Sequence, residues 1–330
     1  NFLTHYSKGI ENYDKQQYTD AINDFNNALK YRRETTNSYK IAGALMERGL
    51  SKMHLKNYSG ALKDIDEALE LKPEYTDLYY ARSLVHLESK EYEKAIEWAD
   101  KGLKLKPENE GLWVNKISGY LLKKSYTEVL SFSDSLLKIV PRSIPALGMK
   151  GAAYEHQKKY KEAVDIYTKL IEIDPQNNGA FYNRGVAYAD DKNFDAALAD
   201  MERAMAIDTS EAWIGYNNIA FFIKFEQKDY QGSLEYFNKA IRQNPQFSNA
   251  YNNRGYAKLQ LNDMKGARED ISKAQELDPE NSYAFRTMAL YLIAEKKMKQ
   301  ACEQLNKALK LGYAEEYDDE VTNLLKLNCH

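Results

Sequence analysis

The 330-residue chain carries only two cysteines, seven prolines and no long apolar run. Cys302 and Cys329 are too few and too far apart for a disulfide framework or a CxxC metal site. Two readings remain: a pair of unpaired thiols, or one bridge to the C-terminal tail in an oxidising compartment. Ile219 to Ile223 is the nearest approach to a membrane segment before Lys224 interrupts it, and a bilayer requires about 18 to 20 such residues. A soluble chain without direct membrane insertion is expected. It opens at Asn1 without a methionine, so any leader is removed or was never there; a cytoplasmic protein and one exported after signal removal both fit. A formal net charge of -3 gives no general attraction to nucleic acid or anionic lipid.

Catalytic signatures are missing as well. There is no Walker loop, GxGxxG, HExxH or GxSxG. An SxxK match at Ser135 to Lys138 stands without companion motifs. His5, His54, His86, His156 and His330 are dispersed, with His54 and His156 at equivalent places that read as turn or rim positions. The sequence therefore predicts no enzyme, no catalytic residues, no metal and no cofactor.

What the chain does contain is repetition. FYNRGVAYADDKNFDAALAD at 181–200 returns as YNNRGYAKLQLNDMKGARED at 251–270. The late alanine of this phrase, or its substitute, stands at Ala21, Ala61, Ala95, Val129, Ala163, Ala197, Ser233, Ala267 and Ala301. The steps are 34 residues, except 40 at the first and 36 before Ser233. Twelve residues earlier come small residues such as Gly9, Gly49, Ser83, Gly151, Gly185 and Gly255. Six of the seven prolines close the unit in one register, from Pro73 to Pro279. Within a unit, Ala163, Ile166, Tyr167, Leu170 and Ile171 form one helical stripe, and Leu147, Gly151 and Tyr154 form another before a polar turn. Each unit reads as helix, turn, helix. Small residues let axes approach to about 8 to 10 Å, and proline ends the second helix.

Gly or Ala at the eighth place, Ala at the twentieth and twenty-seventh and Pro at the thirty-second resemble the tetratricopeptide repeat (TPR). The resemblance implies an all-α superhelical solenoid with units at 2–34, 42–75, 76–109, 110–143, 144–177, 178–210, 211–247, 248–281 and 282–313. A longer loop is expected at 35–41 and a solvating cap helix at 314–330, with Tyr317, Val321, Leu324 and Leu325 on one face. The fourth unit departs from the pattern, since Ile117, Val129 and Leu136 replace small residues, so its helices should be spaced or rotated differently. Two extra residues flank AWIGYNN, one before and one inside the seventh unit, which makes Ala220 its small residue.

In this family the first helices line a concave face that holds extended peptides or partner helices. Carried onto this sequence, the resemblance places Asn115, Asn183, Asn218 and Asn253 in an amide ladder, with Tyr80, Tyr182, Phe221, Tyr256 and Arg286 around it. The ladder can bond a peptide backbone or merely join neighbouring helices. Asp14, Glu47, Asp77, Glu88, Glu155 and Asp190 outnumber Lys224 and Arg286 and predict an acidic groove. The Lys and Asn set of a carboxylate clamp is not found in any three successive units. The reading is a non-catalytic scaffold binding a neutral or basic extended segment of another protein, not nucleic acid. Its competitors are an architectural protein that self-associates through its ends or convex face, and the targeting part of a larger enzyme.

Overall fold

The structure, a computed structural model, describes residues 1–34, 37–210, 212–225, 227–313 and 320–329, without the side chains of residues 34 and 222–224. Tyr317 and the Lys224 side chain thus lie outside the described residues. Among those described the chain is helical throughout, with no strand. It divides into two compact units, Asn1–Ile173 and Asp174–His330.

The first unit holds five antiparallel pairs: α1 (Phe2–Asp14) and α2 (Tyr18–Lys30), α3 (Ser38–His54) and α4 (Tyr58–Leu71), α5 (Thr76–Glu88) and α6 (Tyr92–Leu105). Then come α7 (Glu110–Leu122) and α8 (Tyr126–Ile139), α9 (Ile144–His156) and α10 (Tyr160–Ile173). The second unit holds four: α11 (Asn178–Asp190) and α12 (Phe194–Ile207), α13 (Ala212–Asn218) and α14 (Tyr230–Gln243), α15 (Ser248–Gln260) and α16 (Met264–Leu277), α17 (Ser282–Ala294) and α18 (Met298–Lys310). A last helix, α19, spans Glu320–Asn328.

The turn inside each pair is built the same way nine times. One residue per pair takes φ between 57 and 64°: Gln16, Lys56, Lys90, Lys124, Lys158, Lys192, Lys228, Asn262 and Lys296. This left-handed residue ends the first helix by returning its N–H to that helix, as Lys56 does to the Met53 carbonyl at 2.8 Å. Glycine would adopt it without steric cost, yet seven of the nine are lysine.

Small residues sit where the two helices of a pair touch. A Cβ added at Gly49 would lie 3.1 Å from the Ala61 carbonyl oxygen, at Gly185 3.2 Å from that of Ala197, and at Gly255 3.2 Å from that of Ala267. Ser83 fills the same place by donating its hydroxyl to the Ala95 carbonyl at 2.7 Å. Ala61, Ala95, Ala197 and Ala267 are fully buried. The periodic alanines are therefore contact points between helices.

The arginine before these glycines has its own partner. Arg48, Arg184 and Arg254 each grip an aspartate of their own pair, Asp64, Asp200 and Asp270, through two hydrogen bonds of 2.6 to 2.8 Å. In the third to fifth pairs the equivalent cation turns to the preceding pair instead: Arg82 to Asp66, Lys116 to Asp100 and Lys150 to Asp134. One position thus staples either within a pair or between pairs.

The irregular stretches resolve locally. The expected loop at 35–41 is shorter than that, because α3 begins at Ser38 with Asn37 capping its first N–H groups, and a 3-10 turn covers Arg32–Glu34. In the fourth pair Ile117, Val129 and Leu136 are fully buried together, and Gly119 supplies the close approach instead: a Cβ there would lie 2.7 Å from Ile96 of the preceding pair. In the seventh pair the added residue is absorbed by a π-helical turn, Ile219–Phe225, with Ile219 and Ala220 fully buried. At the C-terminus, Val321, Leu324 and Leu325 of α19 pack on Phe285, Ala289, Leu305 and Ala308. Cys302 and Cys329 form a disulfide with Cα atoms 5.8 Å apart, so the unpaired reading gives way to the bridged one.

Candidate functional site

The places expected to line the groove carry different chemistry in the two units. In the first unit, Glu47 on α3 lies within charge range of Asp14 at the end of α1 and Asp77 at the start of α5. Burial pushes its carboxyl up and the two aspartates add to this, to about 7. Tyr6, Tyr13 and Tyr75 stand about the same carboxylate; burial first, then nearby acids including Glu47, raise their hydroxyls, Tyr13 and Tyr75 to about 12. Among the described residues no cation pairs with Asp14, Glu47 or Asp77.

The remaining expected acids do not join this focus. Glu88 is exposed. Glu155 accepts a 2.5 Å hydrogen bond from the buried Tyr167 hydroxyl, so its carboxylate is engaged inside its own pair. Asp190 belongs to the second unit and is exposed. Asn115 is buried and donates to the Tyr80 carbonyl at 3.1 Å, joining α7 to α5, while the half-buried Tyr80 ring lies against Gly111. That amide serves helix-to-helix bonding.

In the second unit the amides form a linked chain. Asn252 donates to Asn253 at 3.1 Å, Asn253 to Asn217 at 3.1 Å, Asn217 to Asn218 at 3.4 Å and Asn218 to the Tyr182 hydroxyl at 2.6 Å. Three successive first helices are thereby crossed by one line of hydrogen bonds. Asn183, the first predicted rung, is half-buried beside Tyr182. Aromatic surface runs alongside: Phe221 is 45% exposed and lies 5.6 Å from Phe225, which lies 5.6 Å from Tyr256. Arg286 places its guanidinium 5.2 Å from the Tyr256 ring and pairs with Glu320 of α19, which also accepts from the Tyr313 hydroxyl at 2.8 Å.

Family models described as Tetratricopeptide repeat match residues 6–75, 46–110 and 223–282, and another matches 179–211. A model described as TPR repeat matches 151–192. Together these cover more than half of the sequence. The chain belongs to the tetratricopeptide repeat family. Among solved structures it is similar to a TPR protein from Parabacteroides merdae, at 20% identity and TM-score 0.61 over 77% of this chain and 99% of that one. It is also similar to the Cut9–Hcn1 hetero-tetramer of the APC/C, at 14% identity and TM-score 0.55 over 99% of this chain and 76% of that one. A shorter match, at 22% identity and TM-score 0.42 over 57% of this chain and 94% of the other, is YrrB, described as a TPR protein with an unusual peptide-binding site. No curated protein matches the sequence.

Within this TPR frame, sequence reasoning found Asn218 and Asn253 but missed Asn217 and Asn252, which make the row continuous. The signal was present: the tripeptide Tyr-Asn-Asn occurs at 216–218 and again at 251–253. The tyrosines around Glu47 were missed because Tyr6 and Tyr13 lie on α1 and Tyr75 just before α5, all distant in sequence from Glu47. His54 and His156 do lie at the turns, stacked on Tyr18 and Tyr126 of neighbouring repeats at 4.3 and 4.8 Å.

Proposed function

We propose that this TPR protein is a non-catalytic scaffold holding an extended segment of another protein on the inner faces of its repeats. The fold is typically an interaction scaffold, and TPR proteins generally mediate contacts between proteins. Among the described residues no helix is long and apolar enough to cross a membrane. The observation that carries the finer reading is the amide line from Asn252 to Tyr182. An amide offers two donors and an acceptor with two lone pairs. The half-buried Asn218 and Asn253 therefore keep capacity for an N–H or C=O of a passing backbone, their orientation fixed by the buried Asn217 and Asn252. At about 0.5 to 1.5 kcal/mol net per bond, two such amides, with the half-buried Asn183 beside them, supply a few kcal/mol.

The flanking charges favour a neutral or basic segment. Glu320 already neutralises Arg286, so that cation makes no open demand for an acid. In the first unit Asp14, Glu47 and Asp77 concentrate negative charge beside tyrosine rings, a setting suited to a lysine or arginine side chain.

The test is a partner captured from native extract and then titrated against variants of the full chain. Asn217, Asn218 and Asn253 changed together to Ala should weaken binding at least tenfold with helical circular dichroism unchanged. Unaltered affinity with intact helicity would remove the amide line from the interface.

A further inference from the structure

We infer that the second unit carries an anchor cleft for one uncharged aliphatic side chain of the bound segment, walled by Tyr182, Met205 and Ile214. This rests on the proposed groove reading, since Tyr182 belongs to both: its hydroxyl ends the amide line, accepting from Asn218 at 2.6 Å, and its ring lines the cleft.

The cleft exists because two side chains are missing. It lies at the seam between the sixth and seventh repeats and has a volume of about 270 Å³, with Gly179 and Gly215 in its lining. A Cβ on Gly215 would come within 2.4 Å of the Met205 sulfur, so glycine there lets the thioether lie flat along the wall. At Gly179 a Cβ would meet only Asn177 Oδ1, at 3.5 Å, so that side of the cleft is open.

Size and polarity select the occupant. A dry cavity of about 150 Å³ accepts benzene, and pockets for drug-sized ligands start at about 300 Å³. The cleft thus suits a single large side chain. Its polar groups are already engaged with one another. Asp208 accepts from the Ser210 N–H and hydroxyl on Oδ1, at 2.9 and 2.7 Å, and from Asn178 on Oδ2 at 3.4 Å. The Asp208 carboxyl is held below its usual range by these Ser210 bonds, so it stays anionic and disfavours an acidic guest. What is left to contact is the Tyr182 face, Met205, Ile214 and two alanines. A leucine, isoleucine or methionine buried there should gain at least tenfold in affinity over serine.

Two measurements on the full chain test this. In the first, the ¹³C-methyl signal of Met205 is followed while N-acetyl-leucinamide or N-acetyl-serinamide is added. The leucine amide should shift it and the serine amide should not; Gly179→Phe, which plugs the open side, and Ile214→Ser, which removes a wall, should each abolish the shift. In the second, labelled glycine-serine octapeptides with one central Leu, Ser, Lys or Asp are titrated by fluorescence anisotropy. The Leu peptide should bind at least tenfold tighter than the Ser peptide in the parent and equally in Gly179→Phe. No Met205 shift at saturating leucine amide, equal shifts with both amides, or an unchanged leucine preference in both variants would overturn the cleft. Asn217, Asn218 and Asn253 changed to Ala should weaken every octapeptide yet leave the amino-acid amide shift in place. If they change nothing while the shift persists, the groove reading fails and the cleft stands.

Discussion

Arg286 and Glu320 are 34 residues apart and pair side chain to side chain, so the last helix enters the stack at the spacing of a repeat. Val321, which follows, is fully buried and packs with Phe285, Ala289 and Leu305 of the ninth pair. A first helix of a further repeat would meet the ninth pair at this same spacing.

The pair should hold this helix measurably. Burial pushes the Glu320 carboxyl up, but the hydrogen bond and charge of Arg286 outweigh it and keep it below its reference value of 4.5. Its stabilisation is therefore complete above that reference and is lost as pH falls through the lower folded value. A double-mutant cycle with Arg286→Met and Glu320→Gln should show coupling of about 1 to 2 kcal/mol at pH 7, between exposed and buried pairs, and none near pH 2.

Asp270 is a more severe case. It is 5% exposed and receives Arg254 through two bonds and Lys258 at 2.8 Å. Asp270→Ala leaves two cations without their acid and should cost about 3 kcal/mol in urea unfolding. Glu11→Ala, which breaks an exposed pair with Lys15, should leave the urea midpoint unchanged within error.

The left-handed lysines offer the opposite sign. A side chain in this conformation costs roughly 1 to 2 kcal/mol, of which glycine recovers part after its own entropy loss. Lys124→Gly and Lys158→Gly should each raise stability by about 0.5 to 1 kcal/mol, and the pair should be additive within error. A lowered melting temperature in both would show that the lysine side chains make contacts worth more than the backbone conformation costs.

Much of this architecture was legible because packing repeats itself. Ala197 and Gly185 recur with their neighbours at fixed intervals, and a helix contact tolerates few substitutes at such points, so the period survives in the letters. The site is less legible. Asn115 and Asn218 hold the same place, yet one is buried against the Tyr80 carbonyl and the other belongs to the line ending at Tyr182. Which outcome applies depends on the neighbouring helix, and no single repeat contains that information. The choice of Asp66 or Asp64 as acid partner, and the π-helical turn at Ile219–Phe225, are likewise settled by contacts distant in sequence.

Glu47 should make the protein pH-sensitive. Its folded value of about 7 lies above the reference 4.5, so the folded chain binds more protons between those values. Stability is then full below about pH 4.5 and falls as pH rises to 7. Glu47→Gln should flatten that slope and add on the order of 1 to 2 kcal/mol at pH 8, allowing for partial solvent screening. Binding of a lysine-containing peptide to the first unit should release a proton near pH 6.5, detectable as a buffer-dependent heat in calorimetry.

Linear stacks come apart from their termini, because a terminal element has a neighbour on one side only. The bond between Cys302 and Cys329 joins α18 to the residue after α19 and forbids α19 from leaving alone. The smallest piece that can peel away on this side is therefore two helices rather than one, and reducing the bond divides that single step into two.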